Sequence, residues 1–281
     1  MALAISEEFL YDAINYRLPH YHEAIPFILA WSHKSGCTST LQWFFWHTGD
    51  LQNALNYENR TGLVVHNYER FVFKADINYR YDLGQAILAE RPIINFLRCP
   101  YERVWSSYLH IHNRHFVTIE QNNQYNKSLE FRKEVQAFVY GEDVSVEYPI
   151  SFTQYLEYLD ERGFEDIDRH HSPQYTPLFD LPTVRHYRLE DFDLLAPRLE
   201  QEFGLKDSAD DRQHFLKTHH VPKKPMGRRV AMRLMALGVP LNPSERFQIP
   251  KVNRKMLEGS RFEPLIQKLF VKDIELYDAI S

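Results

Sequence analysis

Residues 25–49, IPFILAWSHKSGCTSTLQWFFWHTG, decide the fold. The apolar run over 25–31 predicts a buried parallel strand. A short loop follows, Ser32-His33-Lys34-Ser35-Gly36-Cys37. Thr38, Ser39 and Thr40 then open an apolar helix that Gly49 is placed to stop. Strand, glycine-containing loop and hydroxyl-rich helix start together make a phosphate cradle. Backbone N–H groups point outward there, and the helix dipole favours an anion. Lys34 adds a full positive charge.

Outward from this stretch, residues 1–24 read as a leader with one short helix around 7–16. Residues 51–60 read as a polar connection, and 62–65 as a second strand that leaves His66 at its C-terminal end. Asp82 caps a helix running to about residue 90. Pro92 ends it, and Ile93-Ile94-Asn95-Phe96-Leu97 gives another buried strand. The order βα, β, α, β predicts an α/β fold with a parallel sheet covered by helices. Ligands of such sheets collect at the C-terminal strand ends. Arg98 stands at one, where a guanidinium can grip a phosphate bidentately. Pro100 suits a first helical turn, Val104, Tyr108 and Ile111 share one helix face, and Ser106 lies in that helix.

Residues 116–150 are polar and rich in Asn and Gln, the composition of an insertion or flap. Ser151-Phe152-Thr153-Gln154 is a capping box opening a helix with Tyr155, Leu156 and Leu159 on its apolar face, ended by Gly163. Arg169-His170-His171-Ser172-Pro173-Gln174 is a loop. A strand over 183–187 is followed by a turn and a helix closed by Gly204. Residues 217–233, KTHHVPKKPMGRRVAMR, concentrate positive charge. They read as part of a basic lid over 217–260, with Lys223, Lys224, Arg228 and Arg229 facing phosphates. A helix over 264–280 closes the chain.

At 281 residues and a formal net charge of −5, one large domain is expected, and a general nucleic-acid binder or a polybasic membrane surface is not. Two cysteines, Cys37 and Cys99, give no disulfide framework and fit a reducing compartment as small buried thiols. No segment approaches the ~18 continuous apolar residues of a membrane span, so a soluble, cytoplasmic protein is expected. Adjacent histidines rarely ligate one ion well, and no metal site is expected at 170–171.

The lysine precedes the glycine, which is not the Walker A order. Lys34-Ser35-Gly36-Cys37-Thr38 instead resembles the 5′-phosphosulfate loop of sulfotransferases that use 3′-phosphoadenosine 5′-phosphosulfate (PAPS). R-x-P-x-x-R-x-x-S-x-Y over 98–108 resembles the 3′-phosphate segment of that family. H-H-S-P-Q over 170–174 resembles the H-W-x-P-Q element of its carbohydrate (Golgi-type) branch, with His171 in the Trp position. The R-K-G of the family's lid is missing. The resemblance implies a soluble, bacterial-type member with a three-layer, P-loop-type fold and a central parallel sheet of about five strands.

It further implies sulfuryl transfer from PAPS to the hydroxyl of a carbohydrate or small-molecule alcohol, with no metal required. His33, Lys34, Ser35, Gly36, Cys37, Thr38, Ser39, Thr40, Arg98 and Ser106 would bind the nucleotide, with Lys223, Lys224 and Arg228 in the lid. Lys34 would stabilise the leaving phosphate. His66 would be the general base, its ordinary pKa leaving it neutral at about pH 7. His171, His170, His33 and Glu69 are the other candidates. A P-loop kinase and a non-catalytic nucleotide- or glycan-binding module are the alternative readings.

Overall fold

The computed structural model describes residues 6–113, 127–142, 144–211, 223–239, 241 and 249–280. The chain divides into two compact units. One comprises residues 1–98, 174–219 and 280–281, and the other residues 99–173 and 220–279.

The first unit is built on a three-stranded parallel sheet, in which β1 (Ile28–Ala30), β2 (Ile93–Leu97) and β3 (Val184–Arg188) lie side by side in that order. Ile28 pairs with Ile93, and Ile93 with Val184. All five residues of β2 are buried, as a central strand covered on both faces requires. Phe27, Leu29, Trp43, Phe44, Ile94, Phe96 and Phe192 share one core. The Trp43 indole is satisfied there by donating to Glu200 Oε1 at 2.7 Å. Helix Glu7–Tyr16 begins at the Ser6 cap, and helix Cys37–Thr48 ends where expected at Gly49.

Between helix Cys37–Thr48 and β2 the chain departs from the sequence reading. Residues Leu51–Thr61 form a helix, not a polar connection. Residues 62–65 are not a strand. Gly62 ends the preceding helix, and Val64 is 44% exposed, so no sheet face claims the apolar pair. The chain enters a short helix, Val65–Tyr68, that widens into a π-helical turn, Glu69–Phe73. His66 therefore sits on a helix, three residues before Glu69. Asn78 takes the cap of helix Tyr79–Leu88, with Asp82 in its first turn.

The second unit is mostly helical: Pro100–His110, Lys127–Tyr140, Phe152–Arg162, Arg228–Leu237, Arg254–Leu257, Glu263–Leu269 and Val271–Asp278. Trp105, Tyr108, Phe131, Phe152, Tyr155 and Phe262 lie in its core. The capping box forms as read, Ser151 accepting from the Gln154 N–H and Gln154 Oε1 from the Ser151 N–H. The last helix is broken at Phe270. A separate parallel pair, β4 (Lys223–Lys224) with β5 (Ile249–Pro250), belongs to this unit. Among the described residues the main sheet thus has three strands, where about five were expected. Residues 116–126 and 143 of the expected flap over 116–150, and residues 217–222, 240 and 242–248 of the expected lid, lie outside the described residues. Among those described, no helix is long and apolar enough to cross a membrane.

Buried histidines make the second unit sensitive to acid. His112 stacks on Tyr108 and lies 3.2 Å from Arg132 Nη1. Burial, with the Arg132 charge, holds its pKa well below the ordinary histidine value. Below about pH 6.5 an unfolded chain takes up this proton while the folded chain does not, so stability falls as pH drops through that window. Thermal melts across the window should show the fall, and His112→Asn, which keeps an acceptor for Arg132, should flatten it. An unchanged slope in the variant removes His112 as the cause.

Candidate functional site

The loop after β1 has an unusual backbone. Lys34 and Gly36 both take left-handed conformations, at φ 64° and 70°. Gly36 is the residue before helix Cys37–Thr48 and supplies no side-chain cap. Left-handed Gly36 followed by helical Cys37 turns successive N–H groups to one side, the geometry of an anion nest, while the Ser35 N–H is bonded to the Ser32 carbonyl at 3.3 Å. The first-turn N–H groups have no acceptor within their own helix and face the same end. A side chain at 36 is excluded twice over, by φ and by Leu189, whose Cδ1 would lie 2.5 Å from an added Cβ.

Gln174 fixes this loop to the end of β2. Its Oε1 accepts from Ser35 Oγ at 2.5 Å and from the Arg98 N–H at 3.0 Å, and its Nε2 donates to the Arg98 carbonyl at 2.9 Å. Arg98 Nη1 in turn donates to the Lys34 carbonyl at 3.0 Å. Arg17 Nη1 donates to the Gln174 carbonyl at 2.8 Å, which anchors the clamp from the N-terminal helix side. Lys34, Ser35, Gly36 and Arg98 are thereby brought together within the first unit. Gln174 closes the H-H-S-P-Q element, and its side chain is completely buried.

Beside the loop lies a second cluster. His66 Nε2 is 3.7 Å from Cys37 Sγ and 3.2 Å from Thr38 Oγ1, and its Nδ1 is 2.9 Å from Glu69 Oε2. Glu69 is buried and also meets Lys74 Nζ at 2.6 Å and His20 Nδ1 at 3.4 Å. Burial works to raise its pKa, but Lys74, His20 and His66 outweigh it and hold the carboxyl well below the usual range. Burial likewise works to lower His66. The Cys37 charge and hydrogen bond, with Glu69, outweigh it and push the imidazole up to about 10. For Cys37, burial is outweighed by His66 and then Lys34, and the thiol pKa falls. The expectation of a neutral His66 at about pH 7 is therefore corrected, since its setting keeps it an imidazolium. Glu69, held as a carboxylate among cations, is poorly placed to take up a proton.

His33 packs on Trp31, at 4.9 Å between rings. Ser106 belongs to the second unit, where it is 4% exposed. His171, expected as a catalytic candidate, is entirely buried in that unit, stacked 3.8 Å from Phe131 and bonded to Tyr155 Oη at 2.9 Å, which is the setting of a packing residue. Lys223 and Lys224 form β4. Arg228 is committed to the Met256 carbonyl at 3.1 Å and to the Glu258 carbonyl, which ties down a neighbouring turn.

One donor set among the described residues could hold a metal ion. His110, Asp168 and His170 bring ligand atoms within 4.8 Å of one another. The two imidazoles stack at 4.1 Å and 20°, so their in-plane lone pairs run side by side and do not converge. His170 Nδ1 already meets Asp168 Oδ1 at 2.8 Å, and Ser128 links Asp168 to His110. Comparison with family models, with curated proteins and with solved structures finds no match.

Two substitutions test the loop. Gly36→Ala should cost about 1–3 kcal/mol from backbone strain alone, read by chemical denaturation. Gln174→Ala should cost about 1–3 kcal/mol by removing the bonds that Gln174 makes to the part-buried backbone of Arg98. A loss below measurement error in either variant removes that residue from the support of the loop.

Proposed function

We propose that the protein is a sulfotransferase that moves the sulfuryl group of PAPS onto an acceptor hydroxyl. What supports this reading is that two elements suited to anions meet in one unit. The Gly36–Cys37 turn runs into a helix start, and the Arg98 guanidinium is bonded to the backbone of the same loop. A nucleotide with phosphates on both its 5′ and 3′ positions uses both elements, whereas an ordinary mononucleotide needs only the first.

In this reading the nest and the Cys37–Thr48 helix start receive the 5′-phosphosulfate, and Arg98 the 3′-phosphate. As the acceptor oxygen attacks sulfur, the S–O bond to the 5′-phosphate breaks and negative charge grows on the leaving phosphate. Lys34 and the loop N–H groups stabilise that charge. His66, held as an imidazolium by its pairing with Cys37 and Glu69, does not act as the base. Positioning and charge stabilisation dominate such loose group transfers, as they do for phosphoryl groups. The acceptor in this reading is a carbohydrate or small-molecule alcohol, the H-H-S-P-Q resemblance suiting a sugar and another alcohol being equally compatible.

The reading is tested by calorimetric titration with 3′-phosphoadenosine 5′-phosphate beside ADP and ATP-Mg²⁺. Preference for the 3′-phosphorylated ligand by about 1.4 kcal/mol or more, tenfold in affinity, supports it. Preference for ATP-Mg²⁺ supports the kinase alternative. Lys34→Ala should cost about 3 kcal/mol of transition-state stabilisation in turnover. Arg98→Ala should weaken nucleotide binding first. The pH–rate profile reports His66 directly. A neutral base gives a rate that rises through about pH 6.5, whereas an imidazolium role gives no such rise and a decline only as pH climbs toward about 10.

A further inference from the structure

We propose that Cys37 is a nucleophilic modification site, activated by His66 and Glu69, at which hydroperoxides oxidise the thiol to a sulfenic acid. This goes beyond the sulfotransferase reading and does not depend on it.

The cluster has the parts of an activated nucleophile: a thiol, an imidazole next to it, and a carboxylate orienting that imidazole. Cys37 Sγ lies 3.7 Å from His66 Nε2, and Glu69 Oε2 holds the opposite ring nitrogen at 2.9 Å. Cys37 is also the first residue of a 12-residue helix, where the dipole favours a thiolate. The groups facing the thiol are His66 and, at greater range, Lys34 and Glu69. Glu69 is itself countered by Lys74 and His20. The sum favours the charged pair of thiolate and imidazolium. Access is present as well, since Cys37 is only partly buried and the His66 side chain is 31% exposed. Cys99, the other thiol, is 4% exposed in an apolar cluster and serves as an internal control.

The step balances. The thiolate attacks the outer oxygen of the hydroperoxide, an S–O bond forms and the O–O bond breaks. The leaving alkoxide or hydroxide takes its proton from the His66 imidazolium and departs as alcohol or water. Sulfur is oxidised by two electrons and the peroxide is reduced by two, and the sulfenic acid remains with a neutral His66. A thiol reductant restores the starting state.

Alkylation of the intact chain by iodoacetamide, followed by peptide mass analysis across pH, is the deciding experiment. For Cys37 the rate midpoint should lie below the ordinary thiol value of about 8.5, while Cys99 stays unlabelled in the folded protein. His66→Asn should move the Cys37 midpoint upward by about one pH unit or more. Hydrogen peroxide with a dione probe for sulfenic acid should then add mass at Cys37 and not at Cys99. A wild-type midpoint at the ordinary thiol value overturns the proposal without need of any variant. So does peroxide treatment that leaves Cys37 unmodified. A midpoint unmoved in a folded His66→Asn protein removes His66 as the activator.

Discussion

The amide of Gln174 stands where the parallel sheet runs out. Strand β2 ends at Leu97, and beyond it the N–H and carbonyl of Arg98 have no strand to pair them. Gln174 pairs both with one planar group, as a neighbouring backbone would, and uses its oxygen a second time on Ser35. Without that clamp the loop would face the cost of unpaired backbone and of two residues held in left-handed conformations. The relation of Lys34 to Arg98, and so the candidate site of the first unit, depends on it.

Electrostatics at the second cluster shows how burial and pairing compete. Burial alone would make His66 a weak base and Glu69 a weak acid. Each is overridden because its partners lie within bonding distance. Glu69 lies between Lys74 and His66, with His20, whose pKa burial holds well below the ordinary value, as a third neighbour. With Cys37 drawn toward the thiolate, the cluster pairs opposite charges next to the loop.

Much of this was legible in the sequence, and the exceptions have physical causes. Residues 93–97, the Pro100 helix start, the Ser151 capping box and the Gly49 stop all have local signals, and each forms as read. Residues 51–61 were misread because their polar composition outweighed a narrow apolar face, on which Ala54 is buried and Leu51 and Tyr57 are partly buried against the core. The apolar trio Leu63, Val64 and Val65 then mimicked a strand although only Val65 is buried. That error hid the His66–Glu69 pair, whose three-residue spacing places both on one face only when the segment is helical. The Gln174 clamp and the Leu189 contact at Gly36 are long-range contacts that no local pattern announces.

The first unit is assembled from stretches far apart in the chain, and this bears on the order in which it forms during synthesis. Strand β3 pairs with β2 across 91 residues, as at Asn95 and His186. The whole of residues 99–173, which belong to the other unit, leaves the ribosome in between. Until β3 follows, one edge of β2 is an unpaired apolar strand, and Arg98 waits for an amide that has not yet been made. The nascent chain therefore carries an exposed, aggregation-prone edge over a long span of translation. Its need for chaperone shielding is written into the topology of a very small sheet.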